Sequence, residues 1–284
     1  MDRYAVVGHP ISHSKSPFIH ARFAAQTGQA MRYEALEAPR DGFADTISAF
    51  ISEGGSGLNV TVPFKEEAFV LANERTERAE RAQAVNTLVV RPDKSLFGDN
   101  TDGVGLIRDL SYHDISLMDR NVLILGAGGA VRGILGPLLE HEPQQVLVAN
   151  RTVDRARELV KAFGHDNPRF GTLRACSLEA LGRHAGEQGF DLIINGTSAS
   201  LVGALPDLPE GLLSPQGIAY DMAYADEPTA FQRWAEAQGA LLALDGLGML
   251  VEQAAESFRL WRGVQPDTTE VRHALRSGRL PENP

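Results

Sequence analysis

The sequence predicts an α/β protein organised as two α/β domains. Three observations carry that expectation. Short β-branched runs alternate with longer stretches of helical period, the pattern of repeated strand–helix units. At 121–130 an apolar run passes straight into Gly126-Ala127-Gly128-Gly129-Ala130 and then into a helical stretch. A chain of 284 residues, 43% hydrophobic and 23% charged, is long and apolar enough for two cores.

Taken in order, the first run, 4–7, is a strand ended by Gly8. Ser16-Pro17 opens a helix that ends near Gly28, with Ser16 as N-cap, Pro17 at the first helical position and Ser14 outside the helix with no capping role. A strand at 33–36, a helix at 43–51 and a strand at 58–60 follow. Pro63 introduces a helical segment over 65–72, and a charged helix covers 76–81. Residues 87–90 and 96–97 read as a strand pair with Asp93 in the turn. From Asn121 a second series starts, with buried-type strands at 122–125, 146–149, 192–195 and 218–220 and helices at 153–163 and 229–238. That repetition implies right-handed crossovers and a parallel sheet. The last helix, 247–260, follows Asp245-Gly246, and the chain beyond Pro266 reads as a polar tail.

Composition excludes several classes. The formal net charge is −10, and segments 1–102, 103–244 and 245–284 carry −3, −6 and −1. No part is basic, so a nucleic-acid or acidic-membrane partner held by bulk charge is not expected. One cysteine, Cys176, precludes an intramolecular disulfide, and without an H-E-x-x-H motif no metal site is expected. No apolar run approaches 18 residues and the N-terminus has no leader-like run, which predicts a soluble, cytoplasmic protein.

The glycine cluster has the setting that a dinucleotide fingerprint requires, directly after a strand and opening a helix. Gly126 makes the tight turn and Gly128 lets the backbone approach a pyrophosphate. Ala127, Gly129 and Ala130 complete a loop whose free N–H groups face the anion. The third fingerprint glycine is replaced by Val131. An NAD site wants a carboxylate at the tip of the next strand. Here that strand ends in Asn150-Arg151-Thr152, with Arg155 one turn further on, and the two guanidiniums suit a 2′-phosphate. The cofactor expected is NADP, on a Rossmann-type domain.

The first segment carries polar clusters at the ends of apolar runs: Ser12-His13-Ser14-Lys15-Ser16-Pro17, Asn59-Val60-Thr61-Val62-Pro63-Phe64-Lys65, Ala84-Val85-Asn86-Thr87 and Gly98-Asp99-Asn100-Thr101-Asp102-Gly103. Each alone has a plain reading, as a cap, a loop or a solvated charge. Together they would gather near one edge of the sheet, where open α/β sheets bind ligands.

The order HSKSP, NVTVPFK, AVNT, GDNTDG, GAGGA, NRT, DMAY and DGLGMLVEQA resembles the shikimate dehydrogenase family along nearly the whole chain. The resemblance implies a discontinuous substrate domain, 1–102 with 245–284, closed by the C-terminal helices. It implies an NADP domain at 103–244 and an active-site cleft between the two. It also implies that Ser14 and Ser16 bind the substrate carboxylate, that Thr61, Asn86 and Asp102 bond the ring hydroxyls, and that Asn59 joins them. Lys65 and Asp102 would be the catalytic pair, with Gln253 and Tyr224 completing the pocket. Met222 and Gly246 would lie near the nicotinamide and Glu77 loosely near the cofactor.

The activity implied is the reversible, NADP-dependent reduction of 3-dehydroshikimate to shikimate, in aromatic amino-acid (chorismate) biosynthesis, by a monomer or homodimer. Quinate or dual shikimate/quinate oxidation is the alternative within the class. A methylenetetrahydrofolate dehydrogenase would need a larger aromatic platform than this chain arranges. A non-catalytic NADP-binding regulator would be expected to have lost the Lys65–Asp102 pair, and both residues are present.

Overall fold

The computed structural model describes residues 1–164, 172–184, 188–197, 199 and 203–278. The chain forms two compact units, Met1–Arg108 with Leu250–Pro284, and Asp109–Met249.

The first unit begins with β1 (Asp2–Gly8), α1 (Ser16–Thr27), β2 (Met31–Glu37), α2 (Phe43–Ser52) and β3 (Gly55–Val60). There follow α3 (Lys65–Leu71), β4 (Glu74–Arg75), α4 (Glu77–Ala82), β5 (Thr87–Val90), β6 (Leu96–Asp99) and the start of α5 (Asp102–Tyr112). Its sheet has the order β2-β1-β3-β5-β6-β4. The β1–β2, β1–β3 and β4–β6 pairs are parallel, whereas β5 runs antiparallel to β3 and β6. The mixed sheet closes over Phe43, Phe50, Phe64, Leu58 and Leu88, with Phe43 and Phe64 stacked 4.8 Å apart. Each such ring removes enough apolar surface from water to contribute roughly 1.5–3 kcal/mol.

The second unit contains β7 (Asn121–Leu125), α6 (Gly129–Leu139), β8 (Gln145–Asn150), α7 (Val153–Phe163) and β9 (Thr172–Ser177). After a short 3-10 turn come β10 (Phe190–Asn195), β11 (Leu213–Asp221), α8 (Ala230–Ala237) and β12 (Leu242–Leu244). All six strands are parallel, in the order β12-β11-β10-β7-β8-β9. Strand order therefore reverses at β7, and open sheets of this kind take ligands beside that switch point. Thr229 caps α8 in a reciprocal capping box with Gln232.

The chain then returns through α9 (Leu247–Arg262) and α10 (Thr269–Arg276). The unit boundaries fall inside α5 and α9, a few residues beyond the expected 102–104 and 245. Trp261 Nε1 donates to Leu88 O at 3.0 Å, which fixes α9 to β5.

Several sequence expectations are corrected here. The stretch beyond Pro266 is not only a polar tail: α10 buries Val271 and Leu275, and Arg272 pairs with Glu252 at 3.0 Å. One apolar position per turn is too sparse a stripe to read as a helix without its partner α9. Strands β4, β9 and β12 were not anticipated, because two are very short and β9, at a sheet edge, has Leu173 as its one large apolar residue. Ser16 is not an N-cap. Lys15 holds that position, no side chain caps α1, and Ser16 is its first residue. Ser14 does have a local role, since its Oγ accepts the Ser16 N–H at 3.3 Å.

A cluster of two buried carboxylates and three partly exposed arginines stiffens the first unit. Asp99 accepts from Arg78 Nε at 2.7 Å and from Thr76 Oγ1 at 2.5 Å. Glu256 accepts from Arg259 at 2.7 Å, Arg108 at 3.0 Å and Arg78 at 3.3 Å. Burial resists ionisation of Glu256, but the Arg259 hydrogen bond and the charges of Arg108, Arg259 and Arg78 outweigh it and lower its pKa from 4.5 to about 2. A carboxyl whose folded pKa is depressed stabilises the fold above its unfolded pKa and loses that contribution as pH falls. Wild type should therefore exceed Glu256→Gln in stability above pH 4.5, by about 3 kcal/mol at most. The difference in urea midpoint should shrink as pH falls toward 2. A difference that is flat across that window would show that the carboxylate is not held ionised by its arginines.

Candidate active site

Strand register explains why distant polar clusters meet. In the antiparallel pairs, Asn59 lies opposite Thr87, and Thr87 lies opposite Asp99. The end of β3, the start of β5 and the end of β6 therefore share one edge of the sheet. The residues that follow them, 61–65, 84–86 and 100–102, are drawn to the same place.

Lys65 is the first residue of α3 and is only 8% exposed. Its Nζ donates to Asp102 Oδ2 at 2.5 Å, and Asp102 is 4% exposed. The other carboxylate oxygen accepts from Asn86 Nδ2 at 2.8 Å. Asn86 Oδ1 in turn receives the Thr101 N–H at 2.9 Å and the Thr87 hydroxyl at 2.8 Å. A buried charge without a partner is strongly destabilising, so the pair and its polar collar are mutually dependent.

Asn59 Nδ2 donates to Ser257 Oγ at 2.9 Å and to Thr87 Oγ1 at 3.2 Å, while its Oδ1 accepts from Tyr33 at 2.8 Å. Burial raises the Tyr33 phenol well above its usual pKa of 10, opposed by a hydrogen bond from Ser16, so the phenol stays neutral. His20 stacks on Tyr33 at 4.1 Å, and burial lowers its pKa to about 3. Gln253 Oε1 faces Asn86 Nδ2 and the Thr101 hydroxyl, each at 3.3 Å.

The first unit thus brings together Lys65, Asp102, Asn59, Asn86 and Gln253 in one hydrogen-bonded network. Ser16 joins it through Tyr33, Ser14 through the Ser16 N–H, and Thr61 follows β3, its N–H bonded to Val7 O at 2.9 Å. Thr101 and Ser257 were missed as members of this network. Ser257 lies four residues after Gln253, on the same face of α9, and that spacing is the signal that would have found it. Glu77 opens α4 with an exposed side chain, while Tyr224, Met222 and Gly246 belong to the second unit.

In the second unit, Gly126 adopts φ +106, a conformation that favours glycine, and its N–H donates to Ala149 O at 2.8 Å. Gly128 is the N-cap of α6, followed by Gly129 and Ala130 in the first turn; Ala127 is buried. Space is open within 4 Å of where a Gly128 side chain would project. That room, at a helix start with free N–H groups, fits a bound pyrophosphate.

At the tip of β8, Asn150 Nδ2 donates to Thr152 O at 2.8 Å. Arg151 and Arg155 are exposed and form no ion pair among the described residues, so both guanidiniums are available to a phosphate. Among the described residues, no group of three or more His, Cys, Asp or Glu side chains could hold a metal, and no helix is long and apolar enough to cross a membrane.

These features define a two-unit α/β protein that pairs a dinucleotide-type parallel sheet with a mixed sheet carrying a buried lysine–carboxylate site. Known proteins share that construction. The model of the shikimate dehydrogenase substrate binding domain matches residues 6–88, that of shikimate / quinate 5-dehydrogenase matches 109–203, and that of the shikimate 5′-dehydrogenase C-terminal domain matches 246–276. The shikimate dehydrogenase (NADP(+)) of Alkalilimnicola ehrlichii is 56% identical over 97% of this chain and 98% of its own. Among solved structures, an Ael1 enzyme from Pseudomonas putida has a TM-score of 0.86 at 46% identity, covering 97% of this chain and 98% of that one. Shikimate 5-dehydrogenase from Thermus thermophilus, in complex with NADP(H) and shikimate, has a TM-score of 0.83 at 36% identity, covering 98% and 99%. The chain belongs to the shikimate dehydrogenase family.

Proposed function

We propose that this protein is an NADP-dependent shikimate dehydrogenase that reversibly reduces 3-dehydroshikimate to shikimate, a step toward chorismate and the aromatic amino acids. The observation that carries this reading is the buried Lys65–Asp102 pair at 2.5 Å, collared by Asn86 and Gln253, in a chain 56% identical to an enzyme of that name.

Interconverting a ketone and a secondary alcohol needs one hydride and one proton. Bound NADPH supplies the hydride, and NADP accepts it in the reverse direction. Lys65, as an ammonium, polarises the substrate carbonyl and gives its Nζ proton to the oxygen as the alcohol forms. Asp102 orients Nζ through its hydrogen bond, while Asn86 fixes the carboxylate from its far side. In oxidation the lysine amine takes the proton back. Ser14 and Ser16 bind the substrate carboxylate, and Asn59, Thr61, Asn86, Asp102 and Gln253 read the ring hydroxyls. Met222 and Gly246, in the second unit with the glycine loop, would hold the nicotinamide end of the cofactor. The glycine loop would hold the pyrophosphate, and Asn150, Arg151, Thr152 and Arg155 the 2′-phosphate end. The protein works in the cytoplasm as a monomer or homodimer.

Growth of the NADPH absorbance band on mixing protein, shikimate and NADP tests the activity directly. The same assay with quinate separates the dual-substrate alternative. NADP binding without turnover of either substrate would sink the catalytic reading in favour of a regulator.

Ser14 offers a separate test of substrate binding. Ser14→Ala should lose one charge-assisted hydrogen bond, about 1.5–3 kcal/mol of shikimate binding, with NADP affinity unchanged. Because its Oγ also accepts the Ser16 N–H, a small loss of melting temperature accompanies it. A normal shikimate KM in this variant would move the carboxylate site elsewhere.

A further inference from the structure

One close approach in the second unit falls on a residue that the dinucleotide fingerprint does not include. Gly196 directly follows β10, and its N–H donates to Leu125 O at 2.8 Å, beside the glycine turn. A Cβ on Gly196 would lie 2.5 Å from Val131 Cγ2, 3.0 Å from Met222 Sδ and 3.4 Å from Leu125 O. Atoms cannot stay at the shortest of these separations, so a neighbour would have to move. Met222 ends in a flexible thioether and can turn aside. Val131 cannot, because it is fully buried in the first turn of α6 and β-branched, with one strongly preferred rotamer in a helix. Displacement would therefore fall on the backbone of that turn, which carries the N–H groups following Gly128.

In the usual fingerprint the third glycine lies on the helix and lets helix and strand pack closely. Here that position is Val131, and the missing side chain is on the strand end facing it. We infer that Gly196 is a positioning residue that takes over the third glycine's role from the end of the neighbouring strand. Gly196 and Val131 form a size-matched pair, and together they hold the first turn of α6 where it meets the pyrophosphate. Gly126 belongs to the same arrangement, since a Cβ there would lie 2.9 Å from Gly196 O. The inference rests on the NADP reading of the glycine loop.

Four proteins test it: wild type, Gly196→Ala, Val131→Ala and the double variant, each titrated with NADP by calorimetry and melted. Gly196→Ala should raise the NADP Kd about tenfold or more, the scale of an overpacked contact expressed in binding. Its shikimate KM at saturating NADP should hold. Val131→Ala alone should stay within about threefold of wild type, and the double variant should return to within about threefold, because the smaller side chain readmits the Cβ. A wild-type Kd in Gly196→Ala, or a lowered melting temperature with unchanged Kd, would reduce the glycine to plain packing and overturn the positioning role. So would a double variant as weak as Gly196→Ala. A wild-type protein that does not bind NADP would overturn the cofactor reading instead. The size match would then show in melting temperature alone, low in Gly196→Ala and restored in the double variant.

Discussion

Lys65→Ala is expected to lower kcat by about 10²–10⁴, the usual contribution of a positioned general acid–base, with the shikimate KM little changed. The basis is its place in the network. Among the described residues Nζ bonds only Asp102, at 2.5 Å, and the pair is almost wholly enclosed. Truncation removes the proton donor and leaves a buried carboxylate held only from the Asn86 side, so some stability is lost as well. Steady-state kinetics at a temperature well below the variant's melting point separates the two effects. A variant that keeps more than about a tenth of the wild-type kcat would show that the proton is handled by another group.

Neutralising Arg151 and Arg155 together should weaken NADP by about 1.5–3 kcal/mol for each charged hydrogen bond lost, while NAD affinity barely changes. Both side chains are exposed and without ion-pair partners among the described residues, so melting temperature should hold. The contrast between cofactors is the informative quantity. Equal losses for NADP and NAD in a binding titration would mean that the arginines act on the shared part of the dinucleotide, not on the 2′-phosphate.

Much of the candidate site is legible in the sequence because its signals are local. A strand that runs into Gly126 and then a helix declares the turn without any distant contact. The lack of a carboxylate at Asn150-Arg151-Thr152 needs only the strand end to be found. The clusters around Lys65, Asn86 and Asp102 stand out because polar residues interrupt apolar runs. What resisted reading depended on partners far along the chain. Ser257 looks like one more helix position until Asn59, Thr87 and Thr101 are seen around it. Strand β4 has two residues and exists only because β6 offers it an edge. Ser16 loses its expected capping role because helix α1 begins one residue earlier, with Lys15 at the N-cap, and Ser14 gains a local one by accepting the Ser16 N–H.

The sequence by itself determined most of the element types, the glycine turn and the lysine and aspartate that form the buried pair. These follow from neighbouring residues: side-chain period, capping and turn chemistry act within one or two turns of chain. Only the tertiary structure decided that Lys65 meets Asp102 across 37 residues, and that Gly196 faces Val131. The reason is physical. Strand register is chosen by which faces become buried against distant segments, and the registers of β3 with β5, of β5 with β6 and of β7 with β10 place the segments that follow those strands side by side.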